Sequence, residues 1–159
     1  MQKEILSKIQ KFFKKKKGIN LVYLYGSKAK NKQKLGSDID LGVLLNSSVS
    51  EEEYSQIRLN LTTQLMNLLN FDKIDLVILN QSPPLLCYQA VLKGKILYIQ
   101  NKEKRTDFEL KVLREYEDTK FLRKIQSHYL KEKTRLGFFG RKITKDFLIK
   151  VQDVIPTYH

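Results

Sequence analysis

The chain has a single cysteine, Cys87, in 159 residues. An internal disulfide is therefore excluded, and a reducing, cytoplasmic setting is expected. Cys87 lies in the apolar run Leu85-Leu86-Cys87-Tyr88 and reads as a packing residue. No apolar run approaches the roughly 18 residues of a membrane span, and Lys11 to Lys17 interrupt the first segment before it can form a secretory signal. Internal repeats are missing too, so one domain with a modest core is expected at this length. Acid is scarce, with 17 Asp plus Glu against 30 Lys plus Arg and a net charge of +13. Such a field attracts acidic partners: nucleotides, nucleic acid or an acidic protein surface. The lysines are spread along the chain, as a lysine-rich genome would also leave them, with clusters at Lys14–Lys17 and from Lys131 to Lys150. No groove-reading motif is present and the aromatics are spaced as core residues, so direct nucleic-acid binding is not favoured.

Periodicity gives the organisation. Residues 2–16 predict an amphipathic helix with Ile5, Leu6, Ile9, Phe12 and Phe13 on one face, closed by Gly18. Strands are expected at 20–25, 38–45, 74–79 and 95–99. Ser50 and Glu53 have the spacing of a capping box, opening a helix to about Asn70 with Ile57, Leu61, Leu65 and Leu68 inward. Pro83-Pro84 opens a further helix ended by Gly94, and 103–133 reads as one long helix. Helical and strand periods in alternation imply an α/β (α+β) fold, a small mixed β-sheet flanked by helices. Residues 1–133 form the expected domain. Beyond it, 134–159 is a basic amphipathic tail with a hinge at Leu136–Gly140 and a short helix over 142–154.

Chemistry gathers around three aspartates. Asp38 and Asp40 stand two apart in a run of strand formers, which projects both carboxylates from one face. Two like charges about 4 Å apart repel by roughly 4 kcal/mol at an effective dielectric of about 20. A divalent cation relieves that repulsion, and magnesium suits one or two carboxylates completed by phosphate oxygens and water. Upstream, the strand Asn20–Tyr25 breaks at Gly26-Ser27, followed by Lys28, Lys30, Lys32 and Lys34. Glycine permits close backbone approach, and the Ser27 hydroxyl and amide suit a phosphate. Asp75, in the next strand, would accept a proton from an attacking hydroxyl or complete a second metal site. Alone, Gly-Ser is a common turn and Asp-x-Asp a solvated strand edge. Joined in this order, they read as a nucleotidyltransferase active site.

The pattern Gly26-Ser27-x10-Asp38-x-Asp40 followed by Asp75 resembles the DNA polymerase β-like nucleotidyltransferase superfamily. The small size resembles its minimal nucleotidyltransferases of the MntA type, antitoxins that pair with HEPN-domain toxins of the HepT type. The resemblance covers about residues 1–130, including Gly94–Tyr98 and the stretches Arg105–Glu109 and Tyr116–Asp118. It implies the polymerase β-like fold with a long C-terminal helix, and magnesium-dependent transfer of AMP from ATP to a tyrosine of the toxin. That transfer would silence a ribonuclease within a hetero-oligomer. Carried over by position, Gly26, Ser27 and Lys28 would bind nucleotide, Asp38 and Asp40 would bind metal, and Asp75 would complete the carboxylate triad. One departure stands out: where the family often reads Arg-Ala-Arg-Gly after Gly-Ser, this chain reads Lys28-Ala29-Lys30-Asn31. Charge is kept, but lysine lacks the planar fork of arginine.

Other readings remain at this level. A catalytically idle antitoxin would neutralise its toxin by binding alone. A small-molecule acceptor, as in the aminoglycoside nucleotidyltransferases, usually comes with a larger second domain that this chain has no room for. Arg123 and His128 resemble the Arg–His pair of HEPN ribonucleases, but no second helix pair completes that bundle, so a surface helix is expected there.

Overall fold

Ile19–Tyr25 (β1, INLVYLY) carries bulky residues on both faces, the pattern of a strand covered on each side. In the computed structural model of the protein, which describes residues 2–26 and 38–135, it is an inner strand of a four-stranded sheet. The order is β3-β2-β1-β4, with β2 at Ile39–Leu45, β3 at Ile74–Ile78 and β4 at Lys95–Ile99. β1 is antiparallel to β2 and to β4, while β2 and β3 are parallel. Parallel neighbours need a crossover, and the helix Tyr54–Leu69 supplies it. The expected small mixed sheet flanked by helices is what the chain forms.

One face of the sheet is covered by α1 (Gln2–Lys14) and α2 (Tyr54–Leu69). Ile9 and Phe13 from α1 and Leu61 and Leu65 from α2 meet Val22, Leu24, Leu41, Val43, Leu76 and Ile78 in one apolar cluster. α1 gives way to a turn at Gly18, whose φ of +76° suits glycine. Before α2, the Ser50 amide donates to Glu53 Oε2 at 3.1 Å, the back-directed half of the expected capping box, across a 3₁₀ turn at Glu51–Glu53. At its other end Asn70 adopts φ 47°, ψ 47°, a left-handed cap that asparagine tolerates. Leu68 does not turn inward as expected but is 45% exposed. The buried stripe steps by four from Leu61 to Leu65 and on to the partly buried Leu69, and a residue three after Leu65 falls off it.

The opposite face is covered by α3 (Pro84–Lys93) and α4 (Lys102–Asp118). Leu21, Tyr23, Leu44, Leu79, Cys87, Ala90 and Val112 form its cluster. Cys87 is buried, as its apolar neighbours imply, with its thiol 3.5 Å from the Leu79 and Ser82 carbonyls. The buried Tyr23 hydroxyl donates to Glu109 Oε1 at 2.8 Å, and Arg105 Nε donates to the same oxygen at 2.7 Å. Burial first, then the Glu109 carboxylate, push the Tyr23 hydroxyl well above the usual tyrosine range. β2 is finished by a side chain: Asn80 Oδ1 accepts from the Leu45 amide at 2.8 Å and Asn80 Nδ2 donates to the Leu45 carbonyl at 3.2 Å.

The chain divides into two units, residues 1–114 and 115–159. The boundary falls within α4, and the long helix expected over 103–133 is instead two, since α4 stops at Asp118 and α5 runs Lys120–Arg135. Side chains explain the break. The Thr119 hydroxyl bonds back to the Glu115 and Tyr116 carbonyls at 2.7 and 3.3 Å, and Arg123 donates to the Thr119 hydroxyl and, at 2.6 Å, to the Tyr116 carbonyl. Such insertions into the helix ladder bend or interrupt it. Leu113, Phe121 and Leu122 on these helices are exposed. The hinge at 136–140 and the helix expected over 142–154 lie outside the described residues.

Candidate active site

Strand register builds the site. Tyr25, the last residue of β1, is the Cα partner of Asp40, and Asp40 is the partner of Asp75 across the parallel β2–β3 pair. Partners in neighbouring strands point to the same side of a sheet. Tyr25, Asp40 and Asp75 therefore form a row across three strands, on the face that also carries Tyr23 and Leu44. Asp38 precedes β2 and, by the alternation of a strand, belongs to the side of Asp40. It is held near β3 by its neighbour, since the Ile39 amide donates to the Lys73 carbonyl at 2.9 Å. Asp38 and Asp75 are exposed, and Asp40 is half-buried.

Gly26 is fixed by this arrangement. Its φ is +75°, and a β-carbon added there would stand 1.9 Å from Asp40 Oδ2. The Asp40 carboxylate thus reaches over the end of β1, and only a residue without a side chain leaves room for it. The electrostatics register the crowding. Desolvation, then the charges of Asp75 and Asp40, push the Tyr25 hydroxyl up to about 12.

Ser27 and Lys28, the remaining expected nucleotide contacts, lie outside the described residues. Among the described residues no three or more His, Cys, Asp or Glu gather tightly enough to hold a metal ion unaided. A magnesium site does not require that, because phosphate oxygens and waters complete its octahedron. The donor chemistry fits: a set of aspartate oxygens, two of them open to solvent, suits a hard cation and not a thiolate-seeking one. The sequence reading missed Tyr25. Its signal was present in the alternation Tyr23-x-Tyr25, which sets both tyrosines on one face, but the residue opposite Tyr25 becomes known only from the β1–β2 register.

A family model described as "Polymerase beta, Nucleotidyltransferase" matches residues 7–103. The chain belongs to that family. It is 35% identical over 80 residues to "Protein adenylyltransferase MntA" of Shewanella oneidensis, a match spanning 50% of this chain and 54% of that protein. The chain thus spans about half the length of the curated relative it matches. Among solved structures, a chain from one described as a toxin–antitoxin with AMP-PNP has a TM-score of 0.66 at 27% identity, covering 79% of this chain and 97% of its own length. A second, described as a tri-AMPylated Shewanella oneidensis HEPN toxin in complex with MNT antitoxin, has a TM-score of 0.64 at 26% identity, covering 82% and 98%. The expected polymerase β-like fold is borne out by these neighbours. Among the described residues no helix is long and apolar enough to cross a membrane.

Proposed function

We propose that the chain is a magnesium-dependent protein adenylyltransferase that moves AMP from ATP onto a hydroxyl, in the first instance a tyrosine, of a HEPN-domain toxin. It would act as that toxin's antitoxin within a cytoplasmic hetero-oligomer. The observation that carries this reading is the row of Asp40 and Asp75 on adjacent strands, with the Asp40 carboxylate folded over Gly26 at the end of β1. The family match and the likeness to an adenylyltransferase and to toxin–antitoxin chains support it from outside the site.

The chemistry follows from the residue types. The acceptor oxygen forms a bond to the α-phosphorus of ATP, the bond from that phosphorus to the pyrophosphate oxygen breaks, and the acceptor proton leaves for a base. Asp75, exposed and beside Asp40, is the candidate for that base. Gly26, Ser27 and Lys28 would hold the triphosphate. Asp38 and Asp40 would hold magnesium, which when bound neutralises charge on the phosphate oxygens.

The direct test is incubation with magnesium, ATP labelled on the α-phosphate and the protein encoded beside this one, next to an Asp38→Ala/Asp40→Ala control. Label on the partner that disappears in the control is the expected result. A partner that binds but stays unlabelled would make this chain a sequestering antitoxin instead. Asp75→Asn separates two roles: a base lost slows the chemical step with ATP affinity kept, whereas a metal ligand lost weakens both.

A further inference from the structure

The candidate site is laid out across the sheet in the order the proposed reaction uses it. Gly26 ends β1 on the phosphate side, Asp40 follows on β2, and Asp75, the candidate base, comes last on β3. β3 is the outer strand on that side of the sheet. In-line displacement sets the entering hydroxyl opposite the departing pyrophosphate, so the acceptor arrives over β3.

Lys73 stands at that approach. It precedes β3 by one residue, and its carbonyl accepts from the Ile39 amide at 2.9 Å, so the β2–β3 ladder already runs through it. Two residues before Asp75, it falls on the Asp75 side by strand alternation, next to Asp38 in the parallel register. Lys73 is exposed, and among the described residues no hydrogen bond or ion pair occupies its ammonium. Asp38 and Asp75, its neighbours in the register, are committed to metal and to the acceptor proton in the proposed reading. An unpaired ammonium facing the incoming chain attracts one that carries carboxylates and disfavours one that carries cations.

We propose that Lys73 is a specificity-determining residue for the acceptor: it selects hydroxyls that lie in an acidic segment, by pairing with a carboxylate within a few residues of the reacting tyrosine. The inference rests on the proposed function and concerns the acceptor alone. Lys73 takes no part in holding ATP.

The test measures transfer from labelled ATP, with magnesium at low salt, to the partner protein and to two synthetic peptides, each with one tyrosine, flanked by glutamates in one and by lysines in the other. Wild type is compared with Lys73→Glu, Lys73→Arg and Lys102→Glu. Lys102 opens α4 after β4, whose last residue, Ile99, pairs with Leu21 at the end of the sheet away from Gly26. Its substitution makes the same change in net charge at a distance from the site. Wild type and Lys73→Arg should favour the acidic peptide in kcat/KM by about fivefold, the scale of an exposed ion pair. Lys73→Glu should reverse the preference, Lys102→Glu should keep it, and the KM for ATP should stay the same throughout. A preference that survives Lys73→Glu, or that Lys102→Glu removes equally, would overturn the proposal and assign the selection to the overall +13 field. Wild type that labels its partner but neither peptide would leave the proposed function standing and overturn this inference, because recognition would not lie beside the tyrosine. Wild type that labels neither partner nor peptide would sink both.

Discussion

The two faces of the sheet are built by the same four strands to opposite ends. On the α1–α2 side β1, β2 and β3 supply a row of apolar residues, from Val22 and Leu24 through Ile39, Leu41 and Val43 to Ile74, Leu76 and Ile78. On the α3–α4 side the same strands carry Tyr23, Tyr25, Asp40, Gly42, Asp75 and Val77. Because side chains alternate, one strand can supply a closed core and a polar row at once. Asp40 stands between Ile39 and Leu41, both 2% exposed or less, so the backbone that carries it is held by core packing on the far side. A candidate catalytic carboxylate is thus placed on a rigid element and not on a loop, which favours the tight geometry that phosphoryl transfer requires.

That contrast can be broken from either side. The largest effect is expected on the polar face: under the proposed function Asp40→Ala should lower transfer by about 10³-fold, since loss of a metal site removes several kcal/mol of transition-state stabilisation. The fold should hold, with a melting temperature equal to or slightly above wild type as repulsion between carboxylates is relieved. On the apolar face the signs reverse. Leu65 is fully buried, so Leu65→Ala should cost about 2–5 kcal/mol in denaturant unfolding. The neighbouring Leu68→Ala should stay within about 0.5 kcal/mol of wild type because its side chain is exposed.

A substitution at the seam should disturb both properties. Gly26→Ala must place a β-carbon against Asp40 Oδ2 and force alanine to a φ of +75°. A loss of about 1–3 kcal/mol in stability is expected, together with a transfer rate reduced more than that loss explains. Equal melting curves for wild type and variant would show that the carboxylate does not lean over Gly26.

A further effect is expected in alkaline solution. The Tyr25 hydroxyl is raised from 10.0 to about 12, and Tyr23 is raised as well. Below pH 10 folded and unfolded chains both keep these protons. As pH rises from about 10 through 12 the unfolded chain releases them and the folded chain does not, so stability should fall across that window. Melting temperature followed against pH checks the sign. Tyr23→Phe should flatten the decline while costing about 1 kcal/mol at neutral pH for the lost bond to Glu109.

Much of this was legible in the sequence where the signal is local. Short apolar runs marked all four strands to within a residue or so, and Ser50 with Glu53 marked the entry to α2. What escaped was set by long-range pairing or by particular side chains. The expected helix over 103–133 gave no warning of its break, because Thr119 and Arg123 interrupt it through side-chain bonds to the Tyr116 turn. Leu68 was misplaced because a spacing of three or four residues fits two neighbouring stripes, and only packing against the sheet chooses Leu69. In the site, Asp38 and Asp40 were readable as a pair from their spacing, but their relation to Asp75 depends on a parallel register across a helical crossover. Tyr25 escaped for the same reason.

Where magnesium and nucleotide bind decides the roles of Asp38, Asp40 and Gly26 most directly. A crystal structure with magnesium and a non-hydrolysable ATP analogue should place the metal about 2.1 Å from oxygens of Asp38 and Asp40. The phosphates should lie against the backbone at Gly26, with the α-phosphate on the Asp40–Asp75 side of the sheet. Nucleotide bound elsewhere, or at Gly26 with no metal on either aspartate, would contradict the assignment.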